Sequence, residues 1–197
     1  MEGWLRSRRC KHFLTEVILR IRIDILEVGD RILLYVVNHS QSLSKESIEK
    51  FEVKVETNEL IWLKTITHRE IYSINDITLL GEDEFYATND HYFSFRFKLL
   101  RAIETFTMMR LGSIIYCKDE YCEQKTAKNM HFPNGIINYG GTLMVAQSGV
   151  QEVARFKITE NKDLVPIHGI KVPAGMDNFW FDGEKLTVTG HLKPWVS

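Results

Sequence analysis

The 197-residue chain lacks any apolar run near the roughly 20 residues that a membrane-spanning helix needs. A helical transmembrane protein is thereby excluded. Charge of one sign is lacking too: 25 Lys and Arg stand against 26 Asp and Glu, so nothing steers the chain toward nucleic acid. Proline is scarce, at 4 residues, and the 44% hydrophobic and 26% charged content is that of a chain able to bury a core, which rules out bulk disorder. The three cysteines, Cys10, Cys117 and Cys122, fit neither a CxxC motif nor a disulfide-dense scaffold and leave the compartment unread. With His131, the latter two match no closed zinc site. A serine-hydrolase elbow, a P-loop and an HExxH helix are all missing. Basic residues open the sequence (Arg6, Arg8, Arg9, Lys11), but Glu16, Arg20, Arg22 and Asp24 cut the run behind them, so no signal-peptide core is readable.

What the sequence has in quantity is short strands separated by turn chemistry. Ile32 to Val37 is a continuous apolar run, and Phe51, Val53 and Val55 alternate with Glu52, Lys54 and Glu56. Glu59 to Thr67 forms a third segment. Gly81-Glu82-Asp83 joins Ile77–Leu80 to Glu84–Ala87 as a hairpin, Thr142–Ala146 is followed by Glu152–Thr159, and Asp182-Gly183 closes a hairpin between Phe179–Phe181 and Leu186–Val188. The pattern predicts an antiparallel all-β protein. At about 40–45 residues per four-stranded blade, residues 29–197 amount to about four propeller blades. Residues 1–28 form an atypical N-terminal segment, in which Thr15 to Leu26 suits an edge strand or an irregular leader. Between Ser94 and Leu111, Phe95, Leu99, Ile103 and Phe106 recur at helical spacing opposite Ser94, Lys98, Arg101 and Thr105. This predicts one inserted amphipathic helix, whose apolar stripe packs on a sheet or, given Arg96, Lys98, Arg101 and Arg110, meets an anionic lipid surface.

Asn and Asp pairs stand at the ends of apolar runs: Asn75-Asp76, Asn89-Asp90, Asn134-Gly135 and Asp177-Asn178. Amide and carboxylate oxygens are the donors a hard cation such as calcium takes, six to eight at a time, and strand ends gathered near a common axis would let distant ones converge. Turn formation accounts for each pair equally well on local grounds. His39, His91 and His191 fall at similar places, where an imidazole could take a proton from water.

The same residues lie in phrases that resemble the paraoxonase/arylesterase family. Leu34-Tyr35-Val36-Val37-Asn38-His39, Ile74-Asn75-Asp76-Ile77 and Phe85 through Phe93 match in order and spacing, as do Phe132-Pro133-Asn134-Gly135-Ile136 and Asp177-Asn178 through Gly190-His191. The resemblance implies a six-bladed β-propeller with two calcium ions in its central tunnel, hydrolysing aryl esters and lactones. It implies that Asn75, Asn134, Asp177 and Asn178 are ligands of the catalytic calcium and Asp76 a ligand of the deeper, structural one. His39 is similar to one member of the family's histidine dyad, which activates the attacking water. Residues 94–111 are similar to a helix of the lipid-facing canopy, and an extracellular or membrane-associated setting follows. Asn38-His39-Ser40 is formally a glycosylation sequon, and a glycan beside His39 would block the tunnel, so it is expected to go unused.

The family's first-blade Glu and Asp, its other dyad histidine, its final blades and its ring-closing cysteine pair have no counterpart here. His12 is the only earlier histidine, in unrelated surroundings. Six blades need about 240 residues, so the chain is expected to be an internal fragment or truncated form that cannot close the ring and binds calcium weakly, with little or no esterase activity. The competing expectation is a non-catalytic, membrane-associated interaction or chaperone-like protein on the same scaffold.

Overall fold

The structure, a computed structural model, describes residues 22–39, 46–126 and 129–191. Cys10 and His12 lie outside the described residues, as do the side chains of Phe95 and His191. Among the described residues, the strands pair antiparallel into four sheets. The first holds β1 (Arg22–Val28), β2 (Arg31–His39), β3 (Glu46–Lys54) and β4 (Glu59–Ile66), in that order. The second holds β5 (Ile74–Gly81), β6 (Glu84–Asn89), β7 (Ser113–Lys118) and β8 (Tyr121–Gln124). The third holds β9 (Pro133–Tyr139), β10 (Thr142–Gln147), β11 (Glu152–Ile158) and β12 (Leu164–Lys171), and a pair, β13 (Gly175–Phe181) with β14 (Leu186–His191), follows. Short hairpins make these meanders. Gly140 and Gly141, at φ 56° and 76°, give the two-residue turn between β9 and β10, whose left-handed backbone glycine adopts without strain. The Asp83 turn and the Asp182-Gly183 hairpin fall where turn chemistry places them, and the part of the Thr15–Leu26 run that is described belongs to the edge strand β1.

The sheets pack face to face in series. Leu33, Tyr35 and Val37 of β2, all fully buried, meet Ile77, Phe85 and Ala87 of the second sheet. The opposite face of that sheet, with Tyr86, Ile114 and Tyr116, packs on Ile136, Leu143 and Val145 of the third, and Ala146 and Val153 continue to Met176. Each such side chain contributes about 1.5–3 kcal/mol on burial. Covered on both faces, β6 and β7 carry apolar residues in succession, at 85–87 and 114–117, while the first sheet leaves Ile23 and Ile25 at 53% exposure and Trp62 at 49%. A polar clasp ties the first two sheets: buried Lys50 donates to Asp83 and Glu82 at 2.9 Å each, and the Asp83 N–H donates to the Tyr35 hydroxyl at 3.0 Å. Cys117 and Cys122, left unpaired by their sequence spacing, form a disulfide because they stand directly opposite across the β7–β8 hairpin.

The predicted helix is present but shorter, a 3-10 turn at Phe95–Phe97 leading into α1 (Lys98–Phe106), and it turns polar residues, not its apolar stripe, toward residues 90–93. Its apolar stripe does not pack inward: Leu99 is 75% and Phe106 87% exposed. What is buried is Glu104, whose carboxylate accepts the N–H groups of Tyr92 at 2.8 Å and Phe93 at 3.1 Å. Arg101 donates to both Asp90 oxygens at 3.2 Å and to Ser73 Oγ at 2.6 Å. Unsatisfied backbone N–H groups ahead of the helix thus decide its orientation, because leaving them buried without an acceptor costs about 1–3 kcal/mol each. Among the described residues no helix is long and apolar enough to cross a membrane.

Burial pushes the Asp90 carboxyl up, but His91, Arg101 and Ser73 outweigh it and hold the group well below the usual carboxylate range. A carboxyl depressed on folding stabilises the fold above its ordinary pKa of about 4, and that contribution is lost as pH falls through the folded value. Acid titration followed by circular dichroism therefore has a component below about pH 4 that Asp90→Asn removes. An identical acid profile in the two proteins contradicts the clamp.

Candidate functional site

The first strands of successive sheets, β1, β5, β9 and β13, run beside one another. On three of them the ladder slips at an Asn or Asp pair. Asn75-Asp76 faces Thr88 alone, Asn134-Gly135 faces Ala146 alone, and Asp177-Asn178 faces Thr189 alone. Each pair is therefore a β-bulge, in which two residues oppose one and side chains are re-aimed relative to the flanking alternation. None of the three pairs makes the turn that local chemistry equally allows. Threonines close the gaps: the Asp76 N–H donates to Thr88 Oγ1 at 3.2 Å, and the Thr88 hydroxyl donates to the Asn134 carbonyl at 2.7 Å. The Asn178 N–H donates to Thr189 Oγ1 at 3.3 Å.

Contacts between strands bring the predicted residues into one neighbourhood. Asp76 Oδ2 accepts the Ile136 N–H at 3.0 Å, tying β5 to β9. Gly135 lies so close to β13 that an added Cβ would stand 2.5 Å from the Asp177 carbonyl oxygen, an approach only glycine permits. The Asn134 amide donates to Ser148 Oγ at 3.4 Å, and that hydroxyl donates to the Met176 carbonyl. Arg22 of β1 donates to Asp177 Oδ1 at 2.8 Å, across 155 positions of sequence.

The side-chain oxygens of Asn75, Asn134 and Asn178 are buried and accept no hydrogen bond. Each such amide oxygen costs about 1–3 kcal/mol, and a cluster of them suits a hard cation that takes neutral oxygen donors. Burial pushes Asp76 up to about 7, against backbone hydrogen bonds from Ile136 and Ile77 and the charge of Arg22. Among the described residues no group of three or more His, Cys, Asp and Glu gathers as a metal site.

His39 ends β2, one strand out from the hub that β1, β5, β9 and β13 form side by side, with Nδ1 at 2.5 Å from Glu46 Oε2. His91 Nε2 pairs with Thr105 Oγ1 at 2.9 Å, and its Nδ1 lies 2.9 Å from Asp90 Oδ1 without hydrogen-bond alignment. Asn89 is fully used in holding the segment before β5, accepting the Ser73 N–H at 3.1 Å and donating to the Glu70 carbonyl at 2.8 Å. Sequence reasoning missed Thr88, Arg22 and Asp24. Asp24 is pushed up by burial, and its Oδ2 accepts the Leu79 N–H at 2.7 Å. The available signal was the alternation of β1, where Arg22 and Asp24 share one face and Ile23 and Ile25 the other.

The Arylesterase family model matches residues 20–195. Over 165 residues the chain is 34% identical to serum paraoxonase/arylesterase 1 of Mus musculus, covering 83% of this chain and 43% of that protein. Over 111 residues it is 39% identical to serum paraoxonase/arylesterase 2 of Rattus norvegicus, covering 56% and 30%. The chain spans less than half the length of these curated relatives. A solved GH93 α-L-arabinofuranosidase of Fusarium graminearum shares the fold at a TM-score of 0.50 and 10% identity, over 87% of this chain and 53% of that one. The chain belongs to the arylesterase family.

Replacing Thr88 by Val keeps its shape but removes the hydroxyl shared by two bulged strands, leaving the Asp76 N–H and Asn134 carbonyl unmet. A stability loss of about 1–3 kcal/mol is expected by denaturant titration. An unchanged midpoint would mean that the hydroxyl does not hold the hub.

Proposed function

We propose that this chain carries the site of a calcium-dependent hydrolase of aryl esters and lactones, built on part of a β-propeller. The observation that supports it most is the set of buried, unpartnered amide oxygens of Asn75, Asn134 and Asn178 on bulges of adjoining strands. Asn75, Asn134, Asp177 and Asn178 would hold the catalytic ion, and Asp76 the deeper, structural one. When bound, the ion supplies Lewis-acid charge for a carbonyl oxygen, which accounts for chemistry without a serine nucleophile. The bulges hold the amide oxygens in place, so the amides themselves reorganise little on binding. His39 would be the residue that takes a proton from water, and the Glu46 carboxylate at its Nδ1 orients the ring.

The outward stripe of α1, with Leu99, Ile103 and Phe106 exposed beside Arg96 and Lys98, supports docking on an anionic lipid surface in an extracellular or membrane-associated setting. The same stripe is what favours the second reading, a non-catalytic, membrane-associated or chaperone-like protein.

Turnover of a phenyl ester and of an aliphatic lactone, measured with calcium and then with chelator, tests the reaction. Slow turnover is expected, falling to background on chelation and at least about a hundredfold with Asn134→Ala. Turnover that survives both is incompatible with the proposed site, and lipid binding without any turnover favours the second reading. Co-sedimentation with phosphatidylserine vesicles is expected to drop with the pair Leu99→Gln and Phe106→Gln, and equal binding by that variant would remove α1 as the docking element.

A further inference from the structure

We infer that the Arg22 guanidinium is a built-in competitor for the divalent ion, holding Asp177 in the metal-free chain and having to swing away before that carboxylate can act as a ligand. The inference rests on the calcium reading of the hub. In the first half of β1, Ile23 and Ile25 face outward and Arg22 and Asp24 take the less exposed side, which Leu26 and Val28 continue into the core. From there Arg22 Nη2 donates to Asp177 Oδ1 at 2.8 Å, with the two side chains 30% and 26% exposed. The same positive charge acts on Asp76, so one cation serves carboxylates assigned to both ions.

A guanidinium is planar and offers N–H donors to a carboxylate, whereas a calcium ion draws oxygens from all sides. Arg22 therefore neutralises acidic charge in the hub yet leaves the amide oxygens of Asn75, Asn134 and Asn178 unmatched. A metal must compete with an ion pair for Asp177 and also enter a field that Arg22 has made less negative. Apparent affinity falls by the fraction of molecules in which Asp177 is released, and repulsion between the two cations lowers it further.

Calcium chloride is titrated calorimetrically into the full chain and into Arg22→Gln and Arg22→Met, with melting temperature as a second readout. Both variants are expected to bind calcium about tenfold more tightly, or better, than the unaltered chain. Calcium is expected to raise their melting temperature further than it raises that of the unaltered chain. Adding Asn134→Ala to Arg22→Gln cancels the gain, and a gain that persists there overturns the inference. Equal calcium affinity in all three chains overturns the competition and leaves the calcium reading standing, whereas no binding in any chain overturns both. Because either substitution could unfold the chain, phenylglyoxal labelling of the unaltered protein, mapped by mass spectrometry, supplies an independent test. Arg22 reactivity rises as calcium is added, and constant reactivity at calcium levels that shift the melting temperature overturns the inference.

Discussion

Thr88 is wholly buried where β5 and β9 adjoin, and its hydroxyl serves both strands at once, accepting from the Asp76 backbone and donating to the Asn134 carbonyl. A bulge leaves an extra residue without its ladder partners, so a strand can carry one in the interior only if some other group meets the stranded backbone. Thr88 does this for Asn75-Asp76, and Thr189 does it for Asp177-Asn178. Because side chains alternate with period two, erasing such a bulge would rotate the rest of the strand to the wrong face. Core packing and donor placement therefore depend on the same small set of polar contacts.

This dependence explains what the sequence reveals. Gly81-Glu82-Asp83 and Asp182-Gly183 are local turn chemistry and are legible as hairpins. Asn134-Gly135 has equally strong turn chemistry yet lies inside β9, because its bulge is defined by Ala146 on the neighbouring strand and by the close approach of Asp177. β7 carries no alternation, since Ile114 and Ile115 are buried on opposite faces of a sheet covered on both sides. The Cys117–Cys122 bond becomes readable only once β7 and β8 are known to form a hairpin. Only family resemblance groups Asn75, Asn134 and Asp177, because no local rule relates residues so far apart. Arg22 is not legible as a site residue, because in sequence it is one of several charges that interrupt an apolar run.

In α1 the period was legible and the orientation was not. Periodicity says that two faces differ in polarity, and burial normally goes to the apolar one. Here Glu104 meets the N–H groups of Tyr92 and Phe93, and Arg101 meets Asp90, so hydrogen-bond demand from the preceding segment outweighs the apolar stripe. The stripe that results is surface held rigidly by a polar underside, which keeps it from collapsing onto the body of the protein.

The first sheet differs from the second in having one broad face that no strand of the other three sheets covers, with Ile23, Ile25 and Trp62 each about half exposed. The second sheet shows what such a face becomes once a neighbour interleaves with it. Left open among the described residues, such a face is where contact with another apolar surface would take exposed carbon out of water.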